Sequence, residues 1–352
     1  MRITVLAGGV GGARFLRGLK AAAPDAEITV IGNTGDDISL FGLHVSPDLD
    51  TVMYTLGGGI SEEQGWGRAD ETFTVLHELA AYGAGPGWFS LGDRDFATHI
   101  ARTGMLRAGH PLSAVTRTLS ERWQPGVILL PMTDDRVETH VTLAAGGEGG
   151  KESEGGKDRE DGKERGGGKG GEDGNAARRT VHFQEWWVRM HAAVPAAAIT
   201  FTGAETAAPA PGVLDAIAAA DYVLLPPSNP VVSVGAILAV PGIADAVRAQ
   251  TVVGVSPIIG GAPVRGMADA CLAAIGVETT ATAVAAHYGA GLLDGWLVDD
   301  QDKAAADDPR LAGIAVRALP LYMTDLAASA EIARAALSLA VELTRRSGST
   351  AP

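Results

Sequence analysis

The stretch that decides the fold is Ile3-Thr4-Val5-Leu6-Ala7, followed at once by Gly8-Gly9-Val10-Gly11-Gly12-Ala13-Arg14. The first run is short and rich in β-branched residues, which is typical of a buried strand. The glycines predict a tight turn, and Phe15, Leu16 and Leu19 then follow at helical spacing. A strand, a glycine turn and a helix in this order begin an α/β fold.

The same alternation continues along most of the chain. Short apolar runs predict further strands near residues 28–31, 127–130, 222–225, 252–255 and 292–298. Helical patterns begin at Ser46-Pro47-Asp48 and span residues 71–82, 96–105 and 327–345. We therefore predict a Rossmann-like, doubly wound core with a mostly parallel sheet, formed by residues 1–135 and 212–345.

A smaller subdomain is predicted between the two parts of the core, over residues 136–211. The pattern predicts two strands of a hairpin at residues 137–143 and 180–189. Between them, residues 146–175 contain many Gly, Lys, Glu and Asp and no aromatic or aliphatic residue. Such a segment cannot bury enough surface to offset its ordering entropy, so we expect a disordered loop.

Composition indicates a globular protein of a reducing compartment. Hydrophobic residues make up 46% of the 352 residues, and the formal net charge of −14 disfavours nucleic-acid binding. The single cysteine, Cys271, excludes an internal disulfide, and we expect it to be a packed thiol in a helix. The apolar run at residues 3–7 is too short for a secretory signal, and the run at 231–247 is interrupted by Ser, Gly, Pro and Asp. We expect a cytoplasmic protein without a membrane span.

The glycine loop indicates a phosphate or nucleotide site. Glycines let the backbone approach a phosphate, and the N-terminus of the following helix favours an anion. A dinucleotide fingerprint would require a third glycine where Arg14 stands, and the Lys-Ser/Thr pair of a P-loop is absent. We interpret Gly9, Gly11 and Arg14 as candidate phosphate contacts, with a purely structural turn as the alternative.

Acidic and amide side chains follow the second predicted strand and open the next helix. The runs are Asn33-Thr34-Gly35-Asp36-Asp37 and Ser46-Pro47-Asp48-Leu49-Asp50-Thr51. Carboxylates from two such loops can hold Mg²⁺ through oxygen ligands. The structural alternative is a helix cap at Asp48 and an Asx turn at Asn33, and for Asp48 we favour the cap. Asp50 lies past the cap, so we expect it to be the freer acid.

Other polar turns add to the same predicted site. They are Leu91-Gly92-Asp93-Arg94-Asp95, Asp134-Asp135, Pro227-Ser228-Asn229-Pro230 and the run that begins at Ser256. Arg94 suits either a structural ion pair with its acidic neighbours or phosphate recognition. Polar, conformationally restricted loops after at least five strands favour one shared ligand site.

As a set, these runs resemble the 2-phospho-L-lactate transferase family of coenzyme F-420 biosynthesis, and most of all its phosphoenolpyruvate transferase branch. The resemblance extends over about residues 1–340 in family order. Besides the runs already quoted, it includes His182-Phe183-Gln184-Glu185-Trp186-Trp187-Val188-Arg189 and Ser256-Pro257-Ile258-Ile259-Gly260. The segment at 146–175 departs from the family, which has a short loop there.

The resemblance implies a Rossmann-like core that binds Mg²⁺, a guanosine diphosphate donor and Fo, the alcohol 7,8-didemethyl-8-hydroxy-5-deazariboflavin. The metal acids of the family correspond to Asp36 and Asp50, and Asp50 also lies by the ribityl chain of Fo. Arg94 belongs to the motif that flanks Fo. The remaining substrate-binding candidates are Gly9, Gly11, Arg14, Asn33, Thr51, Ser228 and Asn229. A homodimer is also implied.

The implied reaction is attack by the terminal ribityl hydroxyl on the phosphorus that carries a three-carbon acid, with GMP as the leaving group. The donor would be enolpyruvyl-2-diphospho-5'-guanosine, giving dehydro coenzyme F-420-0, or alternatively lactyl-2-diphospho-5'-guanosine. Asp50 would serve as metal ligand, as proton acceptor or as both. A nucleotide-binding regulator and an NAD(P)-dependent oxidoreductase on a similar fold are the rival interpretations.

Replacing residues 146–175 by a short turn should leave the protein nearly unchanged, because their composition cannot build a core. The midpoint of thermal unfolding and the rate of transfer would be measured side by side with the full chain. A large loss of either would show that this segment has a structural or functional role.

Overall fold

The computed structural model describes residues 1–144 and 179–349, so the predicted loop at 146–175 lies outside the described residues. The strands are β1 (Arg2–Ala7), β2 (Glu27–Gly32), β3 (Ile38–Leu40), β4 (Leu43–Val45), β5 (Ile128–Pro131), β6 (Glu138–Leu143), β7 (Thr180–His182), β8 (Ala196–Thr202), β9 (Tyr222–Leu225), β10 (Val252–Val255), β11 (Ile258–Ile259), β12 (Ala262–Pro263), β13 (Gly295–Val298) and β14 (Ala315–Ala318). The α-helices are α1 (Gly9–Ala22), α2 (Pro47–Leu56), α3 (Thr74–Ala81), α4 (Asp93–Arg107), α5 (Leu112–Trp123), α6 (Val213–Ala219), α7 (Ala236–Ala239), α8 (Ile243–Arg248), α9 (Ala268–Ala274), α10 (Ala281–Tyr288) and α11 (Leu326–Ser349).

A parallel sheet of seven strands lies at the centre, in the order β14-β13-β10-β9-β1-β2-β5. From β1 the chain moves outward through β2 and β5, and from β9 it moves outward on the other side through β10, β13 and β14. The strand order therefore reverses between β1 and β9. Open α/β sheets bind ligands beyond the carboxyl ends of the strands at such a point.

Both faces of the sheet are covered by apolar helices. In β1, Leu6 packs on one side with α6 to α10, and Val5 packs on the other side with α1, α2, α5 and α11. Strands that are buried on both faces are apolar throughout, which explains why β1, β9 and β10 read as continuous apolar runs. The predicted doubly wound α/β core is confirmed.

A smaller antiparallel sheet has the order β7-β6-β8. The predicted hairpin is confirmed by the pairing of His140 with His182, but the expected second strand at 180–189 is too long. Residues Glu185–Arg189 form a π-helical turn instead. Phe183 and Trp186 are both buried in the core, and an extended strand would point them to opposite faces, so the chain coils to bury both.

Other predicted elements are confirmed with shifted boundaries. The helix predicted over 71–82 is α3, and the strand predicted over 292–298 is β13. Cys271 is buried in α9, as expected of a packed thiol, and burial raises its pKa to about 12. Across the described residues, every helix is too short or too polar to cross a membrane.

Candidate functional site

The glycine loop and the turn at 227–230 meet where the strand order reverses. The Ser228 hydroxyl donates to the Gly8 carbonyl oxygen at 2.7 Å and accepts from the Gly8 N–H at 3.2 Å. A Cβ at Gly11 would lie 2.3 Å from the Pro227 carbonyl oxygen, so this close approach requires glycine. Asn229 accepts from the backbone N–H groups of the turn that follows it. The glycine loop and the turn at 227–230 therefore pack directly against each other.

Asp48 joins the glycine loop to the loop after β2. One carboxylate oxygen accepts from the Gly9 N–H and the other from the Asn33 side-chain amide, both at 2.9 Å. The Asn33 oxygen accepts from the Gly35 N–H at 2.8 Å, which is the predicted Asx turn. The predicted helix cap at Asp48 is wrong, because its carboxylate is held by these other donors. Burial raises the pKa of Asp48 to about 6.

Asp36 and Asp37 are buried beside Asp48. Burial, followed by the charge of Asp48, raises the pKa of Asp36 well above its usual range. Burial also raises the pKa of Asp37, whose Oδ2 lies 2.8 Å from the His44 ring and accepts from the Ser46 hydroxyl at 2.7 Å.

The Oδ1 atoms of Asp36 and Asp37 have no hydrogen-bond partner among the described residues. A buried carboxylate oxygen without a donor is costly, and a cation would satisfy it.

Asp50 is not the free acid that its position after the cap suggested. It is only 5% exposed, and the Arg102 guanidinium donates to both of its oxygens, to Oδ2 at 3.0 Å through Nη1 and to Oδ1 through Nη2. Arg102 is itself 1% exposed, so the two charges form a buried ion pair. Nη1 of Arg102 also lies 3.1 Å from Nδ1 of His99, and burial lowers the pKa of His99 to about 4.

Arg102 and His99 were not among the predicted site residues. The signal that points to them is the spacing of Asp95, His99 and Arg102, which places three ionisable side chains on one face of α4. Arg102 also lowers the raised pKa of Asp37, so Asp50 and the buried acids belong to one electrostatic environment.

A cleft of about 60 Å³ opens beside Asp50. Its walls include Thr51, Tyr54, Trp66, Phe89 and Asp95. Burial, followed by the charge of Asp50, raises the pKa of Asp95 to about 7. At about 60 Å³ the cleft is smaller than pockets that enclose a cofactor-sized ring, which take roughly 300 Å³ or more, so a ring bound here would lie partly outside it.

The strand-end acids Asp134 and Asp135 have structural roles. Asp134 accepts from the Ser113 N–H at 2.6 Å and from the Ser113 hydroxyl at 2.8 Å, in the first turn of α5. Asp135 accepts from the Ala208 N–H at 2.8 Å. The side chain of Asp134 is therefore occupied in fixing the start of a helix.

Arg94 is exposed in the first turn of α4. Its guanidinium donates to the Ala69 carbonyl oxygen at 3.1 Å, and in the described part of the chain it forms no ion pair with its acidic neighbours. The Glu71 carboxylate accepts from the backbone N–H groups of Arg94, at 2.7 Å, and Asp95, at 3.2 Å. Asp93 in turn accepts from the backbone N–H groups that open α3. Glu71, in the segment before α3, thus caps α4, and Asp93 of α4 caps α3.

The cap that Glu71 provides for α4 predicts the effect of Gly92→Ala. A Cβ at Gly92 would lie 1.7 Å from Cγ of Glu71, so Glu71 must leave the N–H groups of α4. We expect the free energy of unfolding to fall by about 1 kcal/mol, as for the loss of a helix cap, measured by urea denaturation. Gly104→Ala is the matched control in the same helix.

At Gly104 a Cβ would meet no atom within 4 Å, so alanine should stabilise α4 by about 0.5–1 kcal/mol. Effects of equal sign from the two substitutions would contradict the role of Glu71.

In comparisons with known proteins, the family match and the names of the relatives agree. The family model described as 2-phospho-L-lactate transferase CofD matches residues 3–316. A Streptomyces coelicolor protein is 64% identical over 345 residues, which are 97% of this chain and 99% of that protein. A Thermobifida fusca protein is 63% identical over 355 residues, which are 99% of this chain and 100% of that protein. Both are named phosphoenolpyruvate transferase.

The fold also has a counterpart among solved structures. The crystal structure of protein BH3568 from Bacillus halodurans has a TM-score of 0.57 at 20% sequence identity, and the match covers 96% of this chain and 99% of that one. At 20% identity, this similarity is evidence for the fold alone.

Proposed function

Because the chain belongs to the 2-phospho-L-lactate transferase family, we propose that it moves the phosphoenolpyruvate group of enolpyruvyl-2-diphospho-5'-guanosine onto Fo. The protein is an enzyme, a transferase of coenzyme F-420 biosynthesis. The names of its relatives support the enolpyruvyl donor over the lactyl donor, and they lend no support to a regulator or an oxidoreductase.

One observation carries the proposal for the site. Buried charges lie between the glycine loop and the aromatic cleft: Asp48 of α2 accepts from the Gly9 N–H, Asp36 and Asp37 are buried beside it, and Arg102, which influences Asp37, pairs with Asp50. A donor on the loops and an acceptor in the cleft would therefore meet at these charges. Group transfer needs this proximity more than it needs a protein nucleophile.

We place the guanosine diphosphate donor on the glycine loop, Asn33 and the turn of Ser228 and Asn229. The N-terminal end of α1 favours an anion, and the Asp48 carboxylate already accepts from the Gly9 N–H there. The Gly9 N–H and the Ser228 hydroxyl are already bonded within the protein. These residues would shape the loop, while the remaining backbone groups and Arg14 would meet the phosphates.

We place Fo in the cleft beside Asp50. Trp66 and Phe89 supply aromatic surface for the deazaflavin ring, and Thr51 lines the same cleft. Arg94 lies at the start of α4, next to Asp95 of the cleft wall, and its guanidinium has no carboxylate partner among the described residues. It is thereby free to contact a polar edge of the ring or a phosphate.

Magnesium fits the chemistry of Asp36, whose buried Oδ1 has no partner. Asp50 would be a second metal ligand only if one of its oxygens contacted both Mg²⁺ and Arg102. Within the described residues, no group of three or more His, Cys, Asp or Glu side chains is arranged to hold a metal. In proteins Mg²⁺ is commonly held by one or two carboxylates together with substrate phosphates, and we propose that arrangement here. Bound there, Mg²⁺ would neutralise charge on the diphosphate.

The side chains of the chain itself would position the acceptor. Arg102 fixes the Asp50 carboxylate through two hydrogen bonds, and Asp50 would then hold the ribityl hydroxyl toward the phosphorus and take up its proton. A new oxygen–phosphorus bond forms, the bond to the GMP oxygen breaks, and the product is a phosphodiester. No covalent enzyme intermediate is required.

The test is incubation of the protein with Fo, Mg²⁺ and the enolpyruvyl donor, followed by chromatography of the deazaflavin. A new anionic deazaflavin together with GMP would support the transferase. Parallel incubation with the lactyl donor compares the two donors by their kcat/KM. Oxidation of NADH, or binding of the nucleotide without any product, would instead support the rival functions.

The remaining proposals follow the family resemblance. We propose that the enzyme acts in the cytoplasm and that it is a homodimer. Light scattering after size exclusion would test the dimer, since a mass near the 36.0 kDa of one chain would contradict it.

A further inference from the structure

Arg265 brings a second guanidinium to the glycine loop. It lies in the loop between β12 and α9, and it is anchored there because its Nη2 donates to the Gln64 carbonyl oxygen. A Cβ placed at Gly65 would lie 2.9 Å from Nη1 of Arg265 and 3.1 Å from Cγ1 of Val10. Arg265 therefore lies next to Val10 of the glycine loop, although 255 residues separate the two in the sequence.

Arg14 lies half-buried in the second turn of α1, the helix that begins within the glycine loop. Partial burial, followed by the charge of Arg14, lowers the pKa of Arg265, so the two guanidinium groups are within electrostatic reach of each other. In the part of the chain that the structure describes, neither side chain has a carboxylate partner. Arg17, one turn further along α1, contrasts with them because it pairs with Glu62 at 2.6 Å.

Two neighbouring cations without a carboxylate repel each other, and an anion bound between them would remove the repulsion. The overall charge of −14 gives the surface as a whole no attraction for an anion, so local arginines have to supply it. Guanidinium groups bind phosphates and carboxylates through paired hydrogen bonds.

We propose that Arg14 and Arg265 together bind an anionic group of the donor, either its diphosphate or the carboxylate of the three-carbon acid. The proposal rests on the proposed function, which places the guanosine diphosphate donor on this loop. It adds Arg265 as a residue that determines donor affinity.

The test is isothermal titration of GDP and of the enolpyruvyl donor, each with Mg²⁺ and without Fo, into the wild-type protein and into Arg265→Ala. We expect the substitution to weaken donor binding at least about tenfold, as the loss of a charged hydrogen-bonding partner does. A parallel loss of GDP affinity assigns the pair to the diphosphate. Unchanged GDP affinity with weakened donor binding assigns it to the carboxylate.

Arg107→Ala is the matched control. Arg107 is also exposed and also donates to a backbone carbonyl oxygen, that of Gly42, but it lies at the far end of α4. It should change neither affinity. Donor and GDP affinities of Arg265→Ala within twofold of the wild type would overturn the proposal. Because binding is measured without transfer, this outcome is distinct from a failure of the wild-type enzyme to form the deazaflavin product.

Discussion

Asp36→Asn should abolish transfer and at the same time make the metal-free protein more stable. The carboxylate is buried beside Asp48 and Asp37, and one of its oxygens has no partner among the described residues. Removing the charge relieves burial and repulsion, so we expect the free energy of unfolding to rise in the absence of Mg²⁺ at a pH high enough to ionise the wild-type carboxyl. The rate of transfer should fall at least about 100-fold, because the proposed metal ligand is lost.

Denaturation in EDTA and in Mg²⁺ separates the two effects. The wild type should gain stability from Mg²⁺, and Asp36→Asn should gain much less. Asp25→Asn, at an exposed position in the turn after α1, is the control and should alter neither stability nor rate. A variant that is less stable than the wild type in EDTA would show that the carboxylate is structurally paired and would remove the case for a metal there.

Breaking the Asp50–Arg102 pair should cost stability and activity together. Asp50→Asn leaves the Arg102 guanidinium buried without its counter-charge, and Arg102→Met leaves the Asp50 carboxylate in the same situation. We expect each single substitution to lower the free energy of unfolding by about 3–5 kcal/mol. The double variant should recover at least about 2 kcal/mol of the summed loss, because no buried charge remains unpaired.

The rate of transfer should not recover together with the stability of the double variant. The double variant lacks the carboxylate that would hold the ribityl hydroxyl, so transfer should stay at least about 100-fold below the wild type at a temperature where all variants are folded. Circular dichroism fixes that temperature, and product formation gives the rate. Near-normal transfer by folded Asp50→Asn would remove Asp50 from the proposed mechanism.

Much of the core could be predicted from the sequence because its signals are local. The β1 run, the glycine turn and the start of α1 lie within about 15 residues, and each apolar run longer than a turn indicates a strand or a helix. The end of the second hairpin strand was missed because its cause is tertiary. Only the packing of Phe183 and Trp186 into one core forces the chain to coil there.

In the candidate site, too, some contacts could be predicted from the sequence and others depend on the folded structure. The clustering of Gly9, Asn33 and Asp48 follows from loops at adjacent strand ends, which topology alone predicts. The partner of Asp50 could not be predicted, because Arg102 is 52 residues away and no local pattern joins them. Arg265 was missed for the same reason, since a lone arginine in a loop gives no sign of which segment it will contact.

The position of β1 also has a consequence for how the protein is made. β1 pairs on one side with β9, which is translated much later, and the helix that follows β1 packs against α11, which is translated later still. At synthesis rates of about 5–20 residues per second, β1 must wait about 10 s or longer for β9 to be translated. The apolar side chains of β1 stay exposed for that interval. Those of α1 stay exposed even longer, until α11 has been translated. We expect nascent chains of this enzyme to depend on chaperones, and fragments that lack α11 to aggregate rather than to fold.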